Sequence, residues 1–423
     1  MAITGVSELA FKSILNSNLT PSDSVKTKDR LYGRDKQLKS IDRAMNSSGR
    51  QIFIFGDRGV GKTSVARTAG SIHCNASAEP IYVVCGKASG FSHIIQSIGS
   101  SIIDIRSRLE KPGTGPSGGL GAFGFTANFS KGTPATPNIP LPVTINDALD
   151  VMRYVCDKSE HQPVVIIDEM ERISSAQDRE SFAEFIKNIP ELGDRLKFIF
   201  CGISADIAEL LNSHPSAGRI LEPVHLETIH HSDLWRIITT VSEKIGVEIS
   251  PEALIRISQI SDGFPHFVHL IGESLFWSIY DDPEIITKSN DTHYKIAIKQ
   301  AIERTEAILR TQYSKATEKT KNTEDYKEVL WALADTTSDK RQLSEIYESS
   351  YRRIMLRRSD RKSLSKEALN HRLLALRKEG HGRIVVGSGA GWYAFRENIM
   401  RGYVRLRAEV EGVELGRGAR ISP

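Results

Sequence analysis

Eight consecutive residues, Gly56-Asp57-Arg58-Gly59-Val60-Gly61-Lys62-Thr63, have the types and spacing needed to hold a chain of phosphates. Glycines at 56, 59 and 61 let the backbone wrap closely, so that successive N–H groups and the start of a following helix point at negative charge. Lys62 can then reach the β and γ phosphates, Thr63 offers a hydroxyl to magnesium, and Ser64 stands beside them in the same turn. The apolar QIFIF before this loop and the helix-forming SVARTAG after it give the strand-to-helix setting that a chance glycine turn lacks. ATP and Mg2+ are the expected ligands.

A second chemical signal follows about a hundred residues later, in PVVIIDEME. Asp168, at the C-terminal end of an apolar strand, stands where a carboxylate can hold magnesium through its waters. Glu169, the next residue, is placed to polarise an attacking water as a general base. An acidic pair after a strand also serves as a solvated loop start or a helix cap, but its place after a phosphate-binding loop favours hydrolysis.

The elements that must position these groups read as an α/β fold, a parallel sheet with helices on both faces. Continuous apolar runs predict strands at Gln51–Phe55, Ile81–Cys85, Val164–Asp168, Lys197–Cys201 and Pro223–Leu226. Residues 1–30 read as an N-terminal extension with a helical lead at Val6–Leu15, and 31–227 as the α/β core. Within it, 111–143 is an insertion rich in Gly, Pro, Ser and Thr. Its GLGAFGFTANF stretch fits both a partner-touching hairpin and a disordered loop. Residues 228–313 read as an all-helical lid, with Ser232 and Ser250 as N-caps and a long helix from Thr292 to Tyr313. A polar linker (314–324) leads to three helices (Tyr326–Asp335, Leu343–Met355, Ser365–Lys378) and a glycine-tipped hairpin (Arg383–Val386, Trp392–Phe395). That order predicts a winged-helix domain over 325–400, followed by a C-terminal tail at 401–423.

The chain has 423 residues, long enough for two or three domains, each with its own core. No apolar stretch approaches the roughly 18 residues of a membrane span, and the first residues lack a basic region followed by an apolar run, so the expected compartment is the cytoplasm. Cys74, Cys85, Cys156 and Cys201 are scattered without CxxC spacing and read as buried thiols. Net charge is +4 but uneven, since Lys340 to the end holds 19 Lys plus Arg against 9 Asp plus Glu. Such asymmetry is an electrostatic footprint of nucleic acid, and a solvated surface or an acidic protein partner would give the same pattern. In the third helix of the winged unit, Leu369, Leu373 and Leu376 should face the core, leaving Lys366, Asn370, Arg372 and Arg377 outward. Arg357, Arg358, Arg361 and Lys362 crowd the preceding turn, with Arg352 and Arg353 just before them, and should repel one another unless an anion such as double-stranded DNA approaches.

Taken together, LYGRDKQL, GDRGVGKT, IIDE, KFIFCGIS and GFPHF resemble the AAA+ ATPases, closest in character to the origin-recognition initiators and the STAND signalling ATPases. The resemblance spans about Leu31 to Tyr313, extended by the winged helix to about Phe395. It implies that Leu31, Tyr32, Gly33 and Arg34 line the adenine side, where Gly33 and Arg34 also fit a plain turn before a helix, and that Ser204 takes a sensor position, where a serine equally serves as a helix N-cap. It further implies that Arg219 is an arginine finger completing a neighbour's site in an ATP-dependent homo-oligomer. Pro265 would pack against nucleotide as in STAND relatives, and His266 could contact a phosphate or cap its helix. Two departures stand out. GFPHF lacks the initiators' arginine, and Val84 and Cys85 end the second strand where a polar residue often restrains the catalytic glutamate. The expected function is an ATP-hydrolysing, DNA-binding switch; the alternative is a STAND-like module of a defence or transposition system gating an effector protein.

Overall fold

The computed structural model describes residue 3 and residues 5–74, 78–87, 89–109, 139–203, 217–319, 321–358 and 360–416. The chain divides into two compact units. One comprises Met1–Lys36, Gly56–Val65 and Leu226–Pro423, the other Gln37–Phe55 and Ala66–His225. Of the 111–143 insertion, residues 111–138, including GLGAFGFTANF, lie outside the described residues.

The second unit is built on strands β1 (Gln51–Gly56), β2 (Ile81–Val84), β3 (Val164–Asp168), β4 (Lys197–Gly202) and β5 (Leu221–Leu226). They form one sheet in the order β2-β3-β4-β1-β5, and the β2/β3, β3/β4 and β4/β1 pairs are parallel. Every residue of β3 and β4 is buried, which is why their sequences are continuous apolar runs with no alternation. One face presents Phe53, Val165, Ile167, Phe198 and Phe200 to helices Phe91–Leu109, Ile145–Lys158 and Ala176–Asn188. Phe185 meets Phe198 edge-on at 5.6 Å and Phe91 meets Phe182 at 5.0 Å. Each such side chain stabilises the unit by roughly 1.5–3 kcal/mol through burial, so this face fixes the sheet against its helices. The α/β class expected from the sequence is the observed one. Strand ends differ slightly: β1 and β4 run one residue further than expected, β2 one residue less, and β5 starts at Leu221, so that Pro223 lies inside it.

In the first unit the N-terminal helix is Glu8–Asn18, capped by Ser7, and Phe11 packs on Trp277 and Tyr280 at 5.1 and 4.3 Å between ring centroids. Residues 8–18 are therefore built into the helical layer. That layer comprises His231–Ile245, Pro251–Ser261, Pro265–Tyr280, Asp291–Arg304 and Ala307–Thr317. Ser250 caps its helix ahead of Pro251 as expected. Ser232 does not: the N-cap is His230, and Ser232 Oγ lies 2.9 Å from the His230 ring within the first turn. The expected helix Thr292–Tyr313 is two helices, because Thr305 turns extended (φ −63°, ψ 151°). Its hydroxyl donates back to Ala301 O. The expected polar linker begins inside the second of these helices, where Ala316 and Thr317 are buried.

Beyond it lie helices Thr323–Ala334 and Lys366–Leu376, with Leu369, Leu373 and Leu376 buried and Ser365 as N-cap. The expected helix Leu343–Met355 is interrupted by a π-helical stretch at Ile346–Tyr351. The hairpin strands are β7 (Val385–Gly387) and β8 (Trp392–Phe395), and β6 (Arg341–Gln342) pairs antiparallel with β8, an edge strand that two residues are too short to signal. A helix at Ile399–Val410 replaces the start of the expected tail. Its Arg401 and Arg405, inside the expected tail, are both buried against Asp262. Among the described residues, no helix is long and apolar enough to cross a membrane.

Candidate functional site

The end of β1 leads directly into the glycine loop. Gly56 has φ +155°, and a Cβ there would stand 2.3 Å from Leu226 O, so no larger residue fits. The loop closes on itself through Lys62, which is buried and donates from Nζ to Gly56 O (3.0 Å) and Asp57 O (3.1 Å). Helix Lys62–His73 starts there, presenting its N-terminal N–H groups. An ammonium held inside a glycine backbone at a helix N-terminus suits a phosphate chain.

Arg34, expected on the adenine side, is 2% exposed and donates from Nη2 to Val60 O at 2.8 Å, bracing the loop from behind. Burial pulls its pKa down to about 10, against the attraction of Asp233 and Glu227. Tyr32 donates to Thr240 Oγ1 at 3.0 Å and packs under Arg236, which ties this segment to helix His231–Ile245; Gly33 takes the turn between them with φ +69°. Ser64 Oγ accepts from Val25 N at 3.1 Å. Pro265 is the first residue of its helix. His266 Nδ1 lies 3.1 Å from Pro21 O, while its Nε2 is buried without a partner among the described residues. Burial lowers the His266 pKa, and that of His269 falls to about 3.

The outer side of the loop is met by the C-terminal region of the same unit. Asn398 Nδ2 donates to Asp57 Oδ2 at 2.7 Å, Arg58 pairs with Glu397 (3.3 Å) and Glu306 (3.2 Å), and Ile399 Cδ1 lies against Gly59. These residues fell outside the sequence reading, because nothing local marks Glu397-Asn398-Ile399 as neighbours of a loop some 340 positions earlier.

In the sheet unit, Asp168 ends β3 and is 2% exposed. Its Oδ1 accepts from Glu169 N at 2.8 Å and its Oδ2 from Tyr82 OH at 2.9 Å. Glu169 is left-handed (φ 59°, ψ 42°), a conformation uncommon outside glycine, and its carboxylate lies 2.8 Å from Arg172 Nε. Where the sequence reading found Val84 and Cys85 at the end of the second strand, Glu169 is paired instead with an arginine three residues downstream. Cys85 is buried, and its thiol is pushed up to about 12 by burial and by Asp168, Glu171 and Glu169. Arg219 is exposed on the short helix Ala217–Ile220. Ser204 lies outside the described residues.

The expectation of mutually repelling cations in the C-terminal unit is corrected. Arg358 pairs with Glu324 (2.8 Å) and Glu328 (3.2 Å), Arg361 with Asp325 (3.0 Å) and Glu328 (3.1 Å), and Arg372 with Asp325 (3.0 Å). Arg352 and Arg353 pair with Glu348 and Asp335. The reason is the helix Thr323–Ala334, whose acidic first turn lies under the arginines. Asn370 accepts from Tyr393 OH, so its side chain is already committed. Arg357, Lys362 and Arg377 remain exposed and Lys366 half-exposed, with Arg377 lying against Gly387 of β7.

Residues 30–199 match the family model described as an AAA ATPase domain. The chain carries an AAA ATPase domain. The match takes in the glycine loop, Asp168 and Glu169, and stops before Ser204, Arg219 and the C-terminal elements. A search of curated proteins gives no match. Among solved structures, the Walker-type ATPase PABY2304 of Pyrococcus abyssi is similar at a TM-score of 0.52 and 13% identity, covering 91% of this chain and 99% of that one. The likeness is one of fold. The Aeropyrum pernix ORC2 protein in ADPNP-ADP complexes follows at a TM-score of 0.48 and 13% identity, covering 95% and 98%. Cdc6p from Pyrobaculum aerophilum gives 0.43 and 14%, covering 94% and 97%. The side chains that hold the AAA ATPase domain's acidic pair, Tyr82 and Arg172, went unnoticed in the sequence reading; a tyrosine in a buried strand signals only that its hydroxyl needs a partner.

Proposed function

We propose that the chain is an ATP-binding and ATP-hydrolysing switch in which the occupant of the P-loop sets the position of the C-terminal region. The observation that carries this reading is the contact of Asn398 and Glu397 with Asp57 and Arg58, which joins the phosphate loop to the start of helix Ile399–Val410. Gly56, Gly59 and Gly61 with Lys62 hold the phosphates, and Tyr32, Arg34 and Pro265 shape the nucleotide's surroundings. Thr63 and Asp168 would hold magnesium, which when bound would supply positive charge to the phosphates. Glu169 takes a proton from the attacking water as oxygen bonds to the γ phosphorus and the bond to the β–γ bridging oxygen breaks, yielding ADP and phosphate. Arg219, exposed on its short helix, serves a neighbouring copy's γ phosphate in an ATP-dependent homo-oligomer.

The output surface in this reading is double-stranded DNA, met by Arg357, Lys362, Lys366 and Arg377. A second reading, an effector protein as partner, is favoured by the pairing of Arg358, Arg361 and Arg372 with Asp325, Glu324 and Glu328, which takes three cations from that surface.

Hydrogen exchange over residues 397–410, with ATP and with ADP in the Glu169→Gln variant, tests the switch. Protection that differs between the two nucleotides is expected, and identical protection overturns the reading. Sizing with ATP, with ADP, and with ATP plus duplex DNA separates the outputs. DNA-dependent assembly supports the first, and assembly indifferent to DNA supports the second.

A further inference from the structure

Asp168 takes a donor from the neighbouring strand. Tyr82 sits on β2, whose register sets it opposite Ile166 and sets Val84 opposite Asp168, so the phenol runs along the sheet to donate to Asp168 Oδ2 at 2.9 Å. The other oxygen accepts from Glu169 N. These two bonds help to set which way the carboxylate points. Tyr82 is itself held. The Arg67 guanidinium lies 3.8 Å from its ring centroid, a cation–π stack, and Arg67 Nε is buried with no hydrogen-bond partner among the described residues. A buried guanidinium nitrogen without a partner is costly, and the contact with the ring offsets part of that cost. Arg67 stands four residues after Thr63 in helix Lys62–His73, one turn further along the same face.

We infer that Tyr82 and Arg67 are positioning residues for the metal-holding carboxylate: the phenol fixes the Asp168 side chain in one orientation, and the stacked guanidinium keeps the phenol from swinging away. The inference rests on the proposed roles of Thr63 and Asp168. The effect of Tyr82 and Arg67 is on how tightly Asp168 takes a divalent ion, because removing the hydroxyl forfeits a hydrogen bond to a charged group and loosens the carboxylate's orientation.

The test is a Mn2+ titration of the full chain with bound nucleotide, followed by electron paramagnetic resonance, beside nucleotide affinity measured in EDTA. Tyr82→Phe should need about tenfold more Mn2+ for half-saturation than the wild type, with nucleotide affinity in EDTA unchanged. Arg67→Lys keeps the charge but loses the guanidinium over the ring, and should move the titration the same way by less; it also keeps the inference testable should Tyr82→Phe fold poorly. Mn2+ curves that superimpose for both variants and the wild type overturn the inference. So does an equal loss of nucleotide affinity in EDTA, which would make Tyr82 a general support of the fold. If wild-type protein with nucleotide takes up no Mn2+, and Asp168→Asn changes nothing, the proposed metal site itself fails.

Discussion

Arg405 Nη1 lies 2.9 Å from Asp262 Oδ1, and both side chains are almost fully removed from water. Asp262 is the left-handed residue that ends helix Pro251–Ser261 just before Gly263-Phe264-Pro265-His266, while Arg405 belongs to helix Ile399–Val410. Arg401 takes the other oxygen of Asp262, and the carbonyls of Ala334 and Thr336 accept from Arg405. Burial lowers the Arg405 pKa and Asp262 opposes that shift, so the pair ties the C-terminal helix to the segment carrying His266.

Arg405→Met should destabilise the first unit by about 3–5 kcal/mol, because it leaves Asp262 buried with half its cationic partners. Adding Asp262→Asn should recover part of the loss, since the unpaired charge goes. Urea unfolding of both variants measures this.

Lys62→Ala should weaken nucleotide binding by at least about tenfold, the loss of charge-assisted contacts with the phosphates. Calorimetric titration with ATP reads it, and the nucleotide-dependent rise in melting temperature should shrink in parallel.

Arg172→Ala should raise the rate of phosphate release, by no more than about fivefold. The ion pair with Glu169 is half-exposed, and such pairs are worth up to about 1 kcal/mol. A rate that falls would mean that Arg172 orients Glu169 rather than restrains it. Glu169→Gln should abolish phosphate release in either background.

His269 is fully buried, with its folded pKa at about 3 owing to burial, with Arg30 and His266 adding to the effect. Above the unfolded value near 6.5 the ring is neutral in both states and has no effect on stability. Below it the unfolded chain takes up a proton that the folded ring refuses, so stability falls as pH drops from 6.5 toward 3. His269→Gln should flatten that fall by about 1.4 kcal/mol per pH unit between pH 6 and 4, measured by denaturant unfolding at each pH.

Arg361→Ala should cost stability, since it strips a cation from the buried Glu328, whose carboxyl burial already pushes up. If duplex DNA binds, Arg361→Ala should leave the salt dependence of affinity unchanged, whereas Arg357→Ala and Lys362→Ala should each reduce the slope by about one.

By itself the sequence determined the P-loop, the acidic pair, the five-stranded sheet and the buried leucine stripe of helix Lys366–Leu376. Each depends on neighbours within a few residues, through strand burial, helical periodicity or a glycine turn, and spacing records such neighbours directly. Tertiary structure alone decided what the charged residues do. Arg401 and Arg405, within the expected tail, meet Asp262 about 140 positions away. Arg358 and Arg361, which suggest an anion site, meet Glu324, Asp325 and Glu328 across more than 30. Asp57 meets Asn398 only because the C-terminal helix returns to the loop. A long flexible cation carries the same local signal whether it ends in water, on a phosphate or on a distant carboxylate, and only packing brings that carboxylate within 3 Å.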